Sequence, residues 1–535
     1  MLDRSNSSAS GMDRLGLVCL GLLLLSPLVF KVRLVGDVVV HPFTPLLLAA
    51  WCWTLWAALE AVRQQHGSLS VKWNIVTPPV LLMGLVTLGL GCSLAINSLR
   101  SGSWQPGGWL LLLKGFLYLA PLAFTALLVI RSGLRVLRLL NRMIPPVALL
   151  TLVYSFYRFA QNPAVSYLNS RSESEPRYFV MGTFGEVLTN DGLVLRTDTV
   201  GQGAYGMYLV LVVVFSLALA SLRGLDAGLP RWYIRGQAFL VCPAAVIGIL
   251  NTGSRTSLVL LSGVLLLFAI LLLRRGVGAL TRTHVVRLVL LLIILSAGCG
   301  SVRQYLPVSF PSLDRLEETL KSQFEIQRSA LGTFSPLTNE PRKAVVRNVE
   351  SRVWLWGKTV RYLAEYPTVL LTGVGNDRKR FLEEVIGLSY EGDQVHFHTA
   401  HNLFLDVLVK GGVVTLTSLL IACVWFFRLA VRAVKTGVFD AESRALVGIG
   451  FVLLAFWPPF VFVNLLGEEM FTDNLQLHWT MLFGVLLGLF SLASSAERSA
   501  TATAVVEPFR YDPVPQSSAA AARRELAVKQ PSHFR

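Results

Sequence analysis

About a dozen apolar runs, each close to 20 residues long, restrict this chain to one class of fold. A helix of that length crosses the hydrocarbon core of a bilayer with its backbone hydrogen bonds satisfied, and an open sheet cannot. The runs lie near residues 14–33, 43–62, 74–97, 108–130, 143–160, 200–222, 234–252, 256–273, 285–302, 411–428, 446–464 and 475–494. They predict an all-α polytopic membrane protein with about 12 transmembrane helices. Proline pairs inside them, Pro78-Pro79, Pro145-Pro146 and Pro458-Pro459, are tolerable where neighbouring helices satisfy the freed carbonyls.

Composition agrees with this reading. The 535 residues are 53% hydrophobic and 15% charged, whereas a soluble globule carries about a quarter charged residues. The net charge of +16 is scattered as short clusters between apolar runs, the pattern of membrane loops, so no nucleic-acid partner is expected and membrane lipid is the expected surrounding. The cysteines, Cys19, Cys52, Cys92, Cys242, Cys299 and Cys423, all fall in or beside apolar runs and read as packing residues. The first run, Leu15 to Phe30, lacks a small-x-small cleavage site and reads as a retained span.

Basic residues crowd alternate loops. Arg131, Arg135, Arg138 and Arg142 share one, Arg223, Arg231 and Arg235 another, Arg274, Arg275, Arg282 and Arg287 a third, and Arg428, Arg432, Lys435 and Arg444 a fourth. The positive-inside rule places these loops and both termini in the cytoplasm. The acidic or balanced segments 161–199 and 464–474, and the long segment 303–400, then lie outside. The expected organisation is nine helices over 1–302, a large helical outer loop over 303–410, three helices over 411–495 and a disordered cytoplasmic tail over 496–535. Helical stretches are expected at Leu313 to Ile326 and Ser351 to Ala364.

The outer loop closes with Asp393-Gln394-Val395-His396-Phe397-His398-Thr399-Ala400-His401-Asn402, directly before an apolar stretch interrupted by Lys410-Gly411-Gly412. Leu405 and Leu408 follow His401 at helical spacing, which places the imidazole on the first turn of a short amphipathic helix at the membrane border. Taken alone, His401 is as readily a capping residue as a base. His396, His398 and His401 lack a carboxylate or cysteine at familiar ligand spacing, so no metal and no cofactor is expected. Arg255, in Thr252-Gly253-Ser254-Arg255-Thr256, lies at an outer span end, where a cation either faces a cavity or snorkels. Arg352 begins a loop helix and Lys114 lies within a span. Gly373-Val374-Gly375-Asn376 forms either a plain turn or an anion nest. One base and several cations on one face suit transfer of a sugar from a lipid diphosphate: the base takes the acceptor's proton, and arginine forks stabilise the departing phosphates.

Three pieces of the sequence resemble the bacterial O-antigen ligase and O-antigen polymerase family. They are Thr252-Gly253-Ser254-Arg255-Thr256, Arg352 with Trp356, Pro367 and Gly373-Val374-Gly375, and His401-Asn402-Leu403-Phe404-Leu405 with Leu408 and Gly411-Gly412. The resemblance implies a metal-independent, inverting glycosyltransferase of the C-type membrane fold in the bacterial inner membrane, with a periplasmic active site. Its donor would be an undecaprenyl-diphosphate-linked glycan, and its acceptor lipid A-core or another glycan. His401 would be the catalytic base, and Arg255 and Arg352 the diphosphate-binding cations. Gly373, Gly375, Lys114 and His398 are weaker candidates. Ligase-like transfer is the leading expectation, beside exopolysaccharide or O-antigen polymerisation, transfer to protein hydroxyls and, from another class, transport of a polysaccharide or lipid-linked sugar.

Overall fold

The computed structural model describes residues 11–28, 32–35, 38–40, 43–63, 68–101, 106–161, 202–222, 225–226, 228–251, 254–275, 344–375, 380–387, 399–436, 440–465, 467, 470 and 473–506. The protein is a polytopic helical membrane protein, and among the described residues 10 helices are long and apolar enough to cross a bilayer. The first part of the bundle comprises α1 (Gly11–Leu24), α2 (Thr44–Arg63), α3 (Ser68–Ser101), α4 (Pro106–Leu117), α5 (Ala120–Ser132), α6 (Leu134–Gln161) and α7 (Gln202–Ser221). After it come α8 (Arg231–Gly236), a π-helical turn (Gln237–Val241), α9 (Cys242–Asn251) and α10 (Arg255–Arg275). A cap holds α11 (Ala344–Glu365), α12 (Val369–Thr372) and a π-helical turn (Phe381–Ile386). Three long helices follow: α13 (Leu403–Lys435), α14 (Ala441–Val463) and α15 (Asp473–Val506).

Three local features differ from the hydropathy pattern. Val32–Val35 and Val38–Val40 pair as an antiparallel hairpin, β1 and β2, because a β-branched run too short to span a membrane satisfies its backbone across a turn instead. The run at 108–130 is broken at Tyr118 and Leu119 into α4 and α5, where Pro121 stands at the start of the second helix and lacks the amide needed to continue the first. Helix α15 continues beyond 495 to Val506 through an alanine-rich stretch, so the start of the expected tail is helical. Residues from Ala493 onward form a compact unit of their own. The run at 285–302, the stretch Leu313 to Ile326 and the remainder of the tail lie outside the described residues.

Exposed leucines recur along single faces, Leu48, Leu55 and Leu59 on α2 and Leu81, Leu85 and Leu88 on α3, as expected of helices against acyl chains. Helix α7 is nearly enclosed by its neighbours. Phe426, Trp457, Trp479 and Phe483 interlock where α13, α14 and α15 meet, with ring centroids 4.3 to 6.2 Å apart. Both indoles are satisfied: Trp457 Nε1 donates to Cys423 O at 3.1 Å and Trp479 Nε1 to Met470 O at 3.0 Å.

Helix directions follow from specific contacts. Helix α13 runs against α3, since Ser93 Oγ donates to Lys410 O while Gly89 packs on Thr415. Helix α10 runs against α14, since Gly263 meets Pro459 and Phe268 meets Phe451. The amide of Leu403 donates to Asn464 O and Gly467 O at the other end of α14. The first turns of α10 and α13 therefore lie at one end of the bundle. Helix α5 descends beside α15, with Thr125 against Gly484 and Val129 against Gly488, which carries Arg131 to the opposite end. There Arg131 bonds Asp13 at 2.7 Å and Glu60 at 2.6 Å. The described basic residues of the four clusters share that end.

Helix α13 bends at Gly412, whose φ of 76° and ψ of −179° leave the helical region. A Cβ there would collide with the carbonyl oxygen of Leu371. Gly412→Ala is expected to lower stability by more than about 1 kcal/mol, read as an earlier midpoint in detergent-denaturant titration of the purified protein. Gly84→Ala, in open space on helix α3, is the matched control and should be neutral or slightly stabilising.

Candidate functional site at the mouth of the bundle

The turn that carries His401 is built by its neighbours. Asn402 caps α13, its Oδ1 accepting the amides of Phe404 at 3.0 Å and Leu405 at 3.1 Å. The helix consequently begins at Leu403, and His401 stands just before it rather than on its first turn, which corrects the position read from the spacing of Leu405 and Leu408. His401 has a φ of 49°, and it is the one non-glycine residue with positive φ among the described residues. Its amide donates to Thr399 Oγ1 at 3.4 Å. Ala400, immediately before it, is fully buried and held on both sides. Its amide donates to Asp406 Oδ1 at 3.3 Å and its carbonyl accepts Trp356 Nε1 at 2.9 Å.

That indole connects the turn to Arg352. Arg352 lies four residues before Trp356 on α11, one helical turn or about 6 Å along the same face. Leu355, Thr359 and Leu363 continue the buried side of this helix. Leu355 and Leu363 pack with Phe381, Leu382, Ala400 and Val409 in the core of the cap. That hydrogen bond and the core beneath it hold α11 against the turn that precedes His401, with Arg352 one helical turn from the contact. The C-terminal half of α11 is tied down by Tyr362, whose hydroxyl donates to Glu384 Oε2 at 3.5 Å, while Arg380 Nε bonds Glu384 Oε1 at 2.5 Å.

Arg255 is the first residue of α10, half-buried, at the same end of the bundle as His401. Ser254 caps this helix: its Oγ accepts the amide of Ser257 at 3.2 Å and lies 2.8 Å from Ser257 Oγ. A cation at a helix N-terminus receives no support from the helix dipole, so stabilisation of α10 does not account for Arg255. The same dipole and the adjacent amides favour an anion there.

The Gly-x-Gly segment performs a packing task. The amides of Gly373, Val374 and Gly375 donate to Val369 O, Val409 O and Lys410 O at 2.8, 2.8 and 3.0 Å, so each already has a carbonyl partner. Asn97 Nδ2 donates to Gly373 O at 3.0 Å. Gly373 and Gly375 have positive φ, and a Cβ on Gly373 would strike the carbonyl of Lys410. This geometry is that of a turn clamped between α3 and α13, the simpler of the two readings of its sequence. Lys114 lies in α4 with its side chain outside the described residues, and His398 lies outside them altogether.

Spacing alone did not single out Asp406 and Lys410, which form a buried ion pair of 2.6 Å directly beneath the turn. Their i, i+4 separation was the available local signal. Asn464, whose Oδ1 accepts the amide of Met470 at 2.9 Å and whose carbonyl receives Leu403, carried no such signal.

Burial pushes the Tyr362 phenol up to about 12, and the Glu384 carboxylate adds to the shift. The folded protein holds this proton more tightly than a free tyrosine of pKa 10.0, so the contribution is complete below about pH 10 and is lost as pH rises toward about 12. Tyr362→Phe should flatten the alkaline side of a plot of unfolding midpoint against pH, without altering its acid side.

Residues 238–420 match the family model described as O-antigen ligase. The matched region contains Arg255, Arg352, Gly373, Gly375, His398 and His401 and leaves out Lys114 and the last two spanning helices. No curated protein matches the chain.

Proposed function

We propose that this protein, which carries an O-antigen ligase domain over residues 238–420, is an inverting glycosyltransferase that moves a glycan from undecaprenyl diphosphate to an acceptor hydroxyl. The observation that carries the reading is the rigidly held His401 turn, at the same end of the bundle as Arg255 and one indole away from Arg352. His401 removes the proton as the acceptor oxygen attacks the anomeric carbon. The bond from that carbon to the diphosphate oxygen breaks on the opposite face, and the leaving group departs with both electrons. Arg255 and Arg352 stabilise the charge it gains. Because side chains supply both the base and the countercharge, the reaction is proposed to be metal-independent.

Sidedness supports a periplasmic site. Arg131, Arg135, Arg138, Arg142, Arg231, Arg235, Arg274, Arg275, Arg428, Arg432, Lys435 and Arg444 flank the far end of the bundle, where the positive-inside rule places the cytoplasm. The proposed location is the bacterial inner membrane with both termini cytoplasmic, and this orientation supports it. Lipid A-core is the proposed acceptor, within a family model that covers ligase-type enzymes.

His401→Ala in the full chain, reconstituted with a polyprenyl-diphosphate-linked oligosaccharide, should reduce transfer by about 10²- to 10⁴-fold while intact donor accumulates. Full product from a normally accumulating variant would sink the assignment. Arg255→Ala and Arg352→Ala should each lower kcat by about 10²-fold, with lysine restoring part of the loss. Offering lipid A-core, a second lipid-linked oligosaccharide and a hydroxyl-bearing peptide in separate reactions distinguishes ligase from polymerase and from protein glycosylation. A chelator should leave the rate unchanged.

A further inference from the structure

Asp406 and Lys410 bury opposite charges one helical turn apart, at 8% and 7% exposure, where an apolar pair would pack as well. Buried ion pairs of this kind are weak stabilisers, because desolvation offsets most of their attraction. What the pair supplies that leucine or methionine cannot is a fixed acceptor. Asp406 Oδ2 takes the ammonium of Lys410 and Oδ1 takes the amide of Ala400. Lys410 is in turn constrained from several directions. Its ammonium lies 5.8 Å from the centre of the Phe381 ring, and its carbonyl accepts Ser93 Oγ at 2.7 Å and the amide of Gly375 at 3.0 Å. The aim of the carboxylate is therefore set by α3, the Gly-x-Gly turn and the cap together.

The geometry points to Asp406 as the positioning residue of His401, with Lys410 holding its carboxylate on the Ala400 amide. This rests on the reading of His401 as the base. Asp406 fixes the amide of Ala400 and Trp356 its carbonyl, while Asn402 is locked as a helix cap. A left-handed residue between two immobilised neighbours has its imidazole direction set by the backbone. Releasing one neighbour lets the turn relax and the ring swing away from the acceptor.

Two double variants separate this role from packing and from charge. Asp406→Leu with Lys410→Met removes both charges and the acceptor; Asp406→Asn with Lys410→Met removes both charges and retains an oxygen for Ala400. In the reconstituted full chain, with a polyprenyl-diphosphate oligosaccharide as donor and the acceptor that turns over, the leucine variant should lose about 10²-fold in kcat at nearly unchanged donor KM. The asparagine variant should stay within about fivefold of the parent. Equal kcat in the two double variants, at whatever level, overturns the positioning role. If the leucine variant does not accumulate, Asp406→Glu, which displaces the carboxylate by one methylene, must lower kcat at constant KM or the proposal fails. His401→Ala run in parallel separates the two levels of the argument. An active His401→Ala defeats the base assignment and this proposal with it, whereas an inactive one beside equally active double variants defeats the positioning role alone.

Discussion

The amide of Leu403 is shared between the carbonyls of Asn464 and Gly467, and the rest of the mouth of this bundle depends on that junction. Irregular backbone is tolerable beside a membrane only where protein groups satisfy it. Here the start of one spanning helix is bonded to the end of the next, while Asn464 also accepts the amide of Met470. With α13 and α14 joined in this way, the turn from Thr399 to Asn402 is fixed at the start of α13. His401 is presented at a fixed height over the helices instead of at the end of a loose loop.

A second set of bonds joins the cap to the bundle. Ser93 and Asn97 of α3 reach the carbonyls of Lys410 and Gly373, and the amides of Val374 and Gly375 reach the first segment of α13. These partners are far apart in the chain, Ser93 and Lys410 being separated by 317 positions. Their convergence requires glycine where backbones touch, at Gly373 against Lys410 and at Gly412 against Leu371. The cap core of Leu355, Phe381, Ala400 and Val409 rests on this seam.

Much of the architecture was legible in the chain because bilayer thickness imposes a length on apolar runs. The 10 described spanning helices fall on runs visible in the sequence, and α11 covers the expected helix from Ser351 to Ala364. Boundaries differ from the apolar pattern for local reasons that the residues themselves contain. Asn402 is a strong cap and moves the helix start beyond His401, and Pro121 divides one run into α4 and α5. The placement of Asp406 against the amide of Ala400, and of Trp356 against its carbonyl, was not legible. Both depend on how α11 docks on α13, a matter of three-dimensional packing that periodicity does not encode.

The left-handed backbone at His401 has a further meaning for the economy of the fold. A non-glycine residue held in that region costs on the order of 1–3 kcal/mol, whereas glycine adopts it readily. Selection for thermal robustness alone would therefore discard the imidazole at position 401. With His401 in the role proposed for it, this turn exchanges durability for reactivity, and a stabilising glycine at the position is expected to silence the protein.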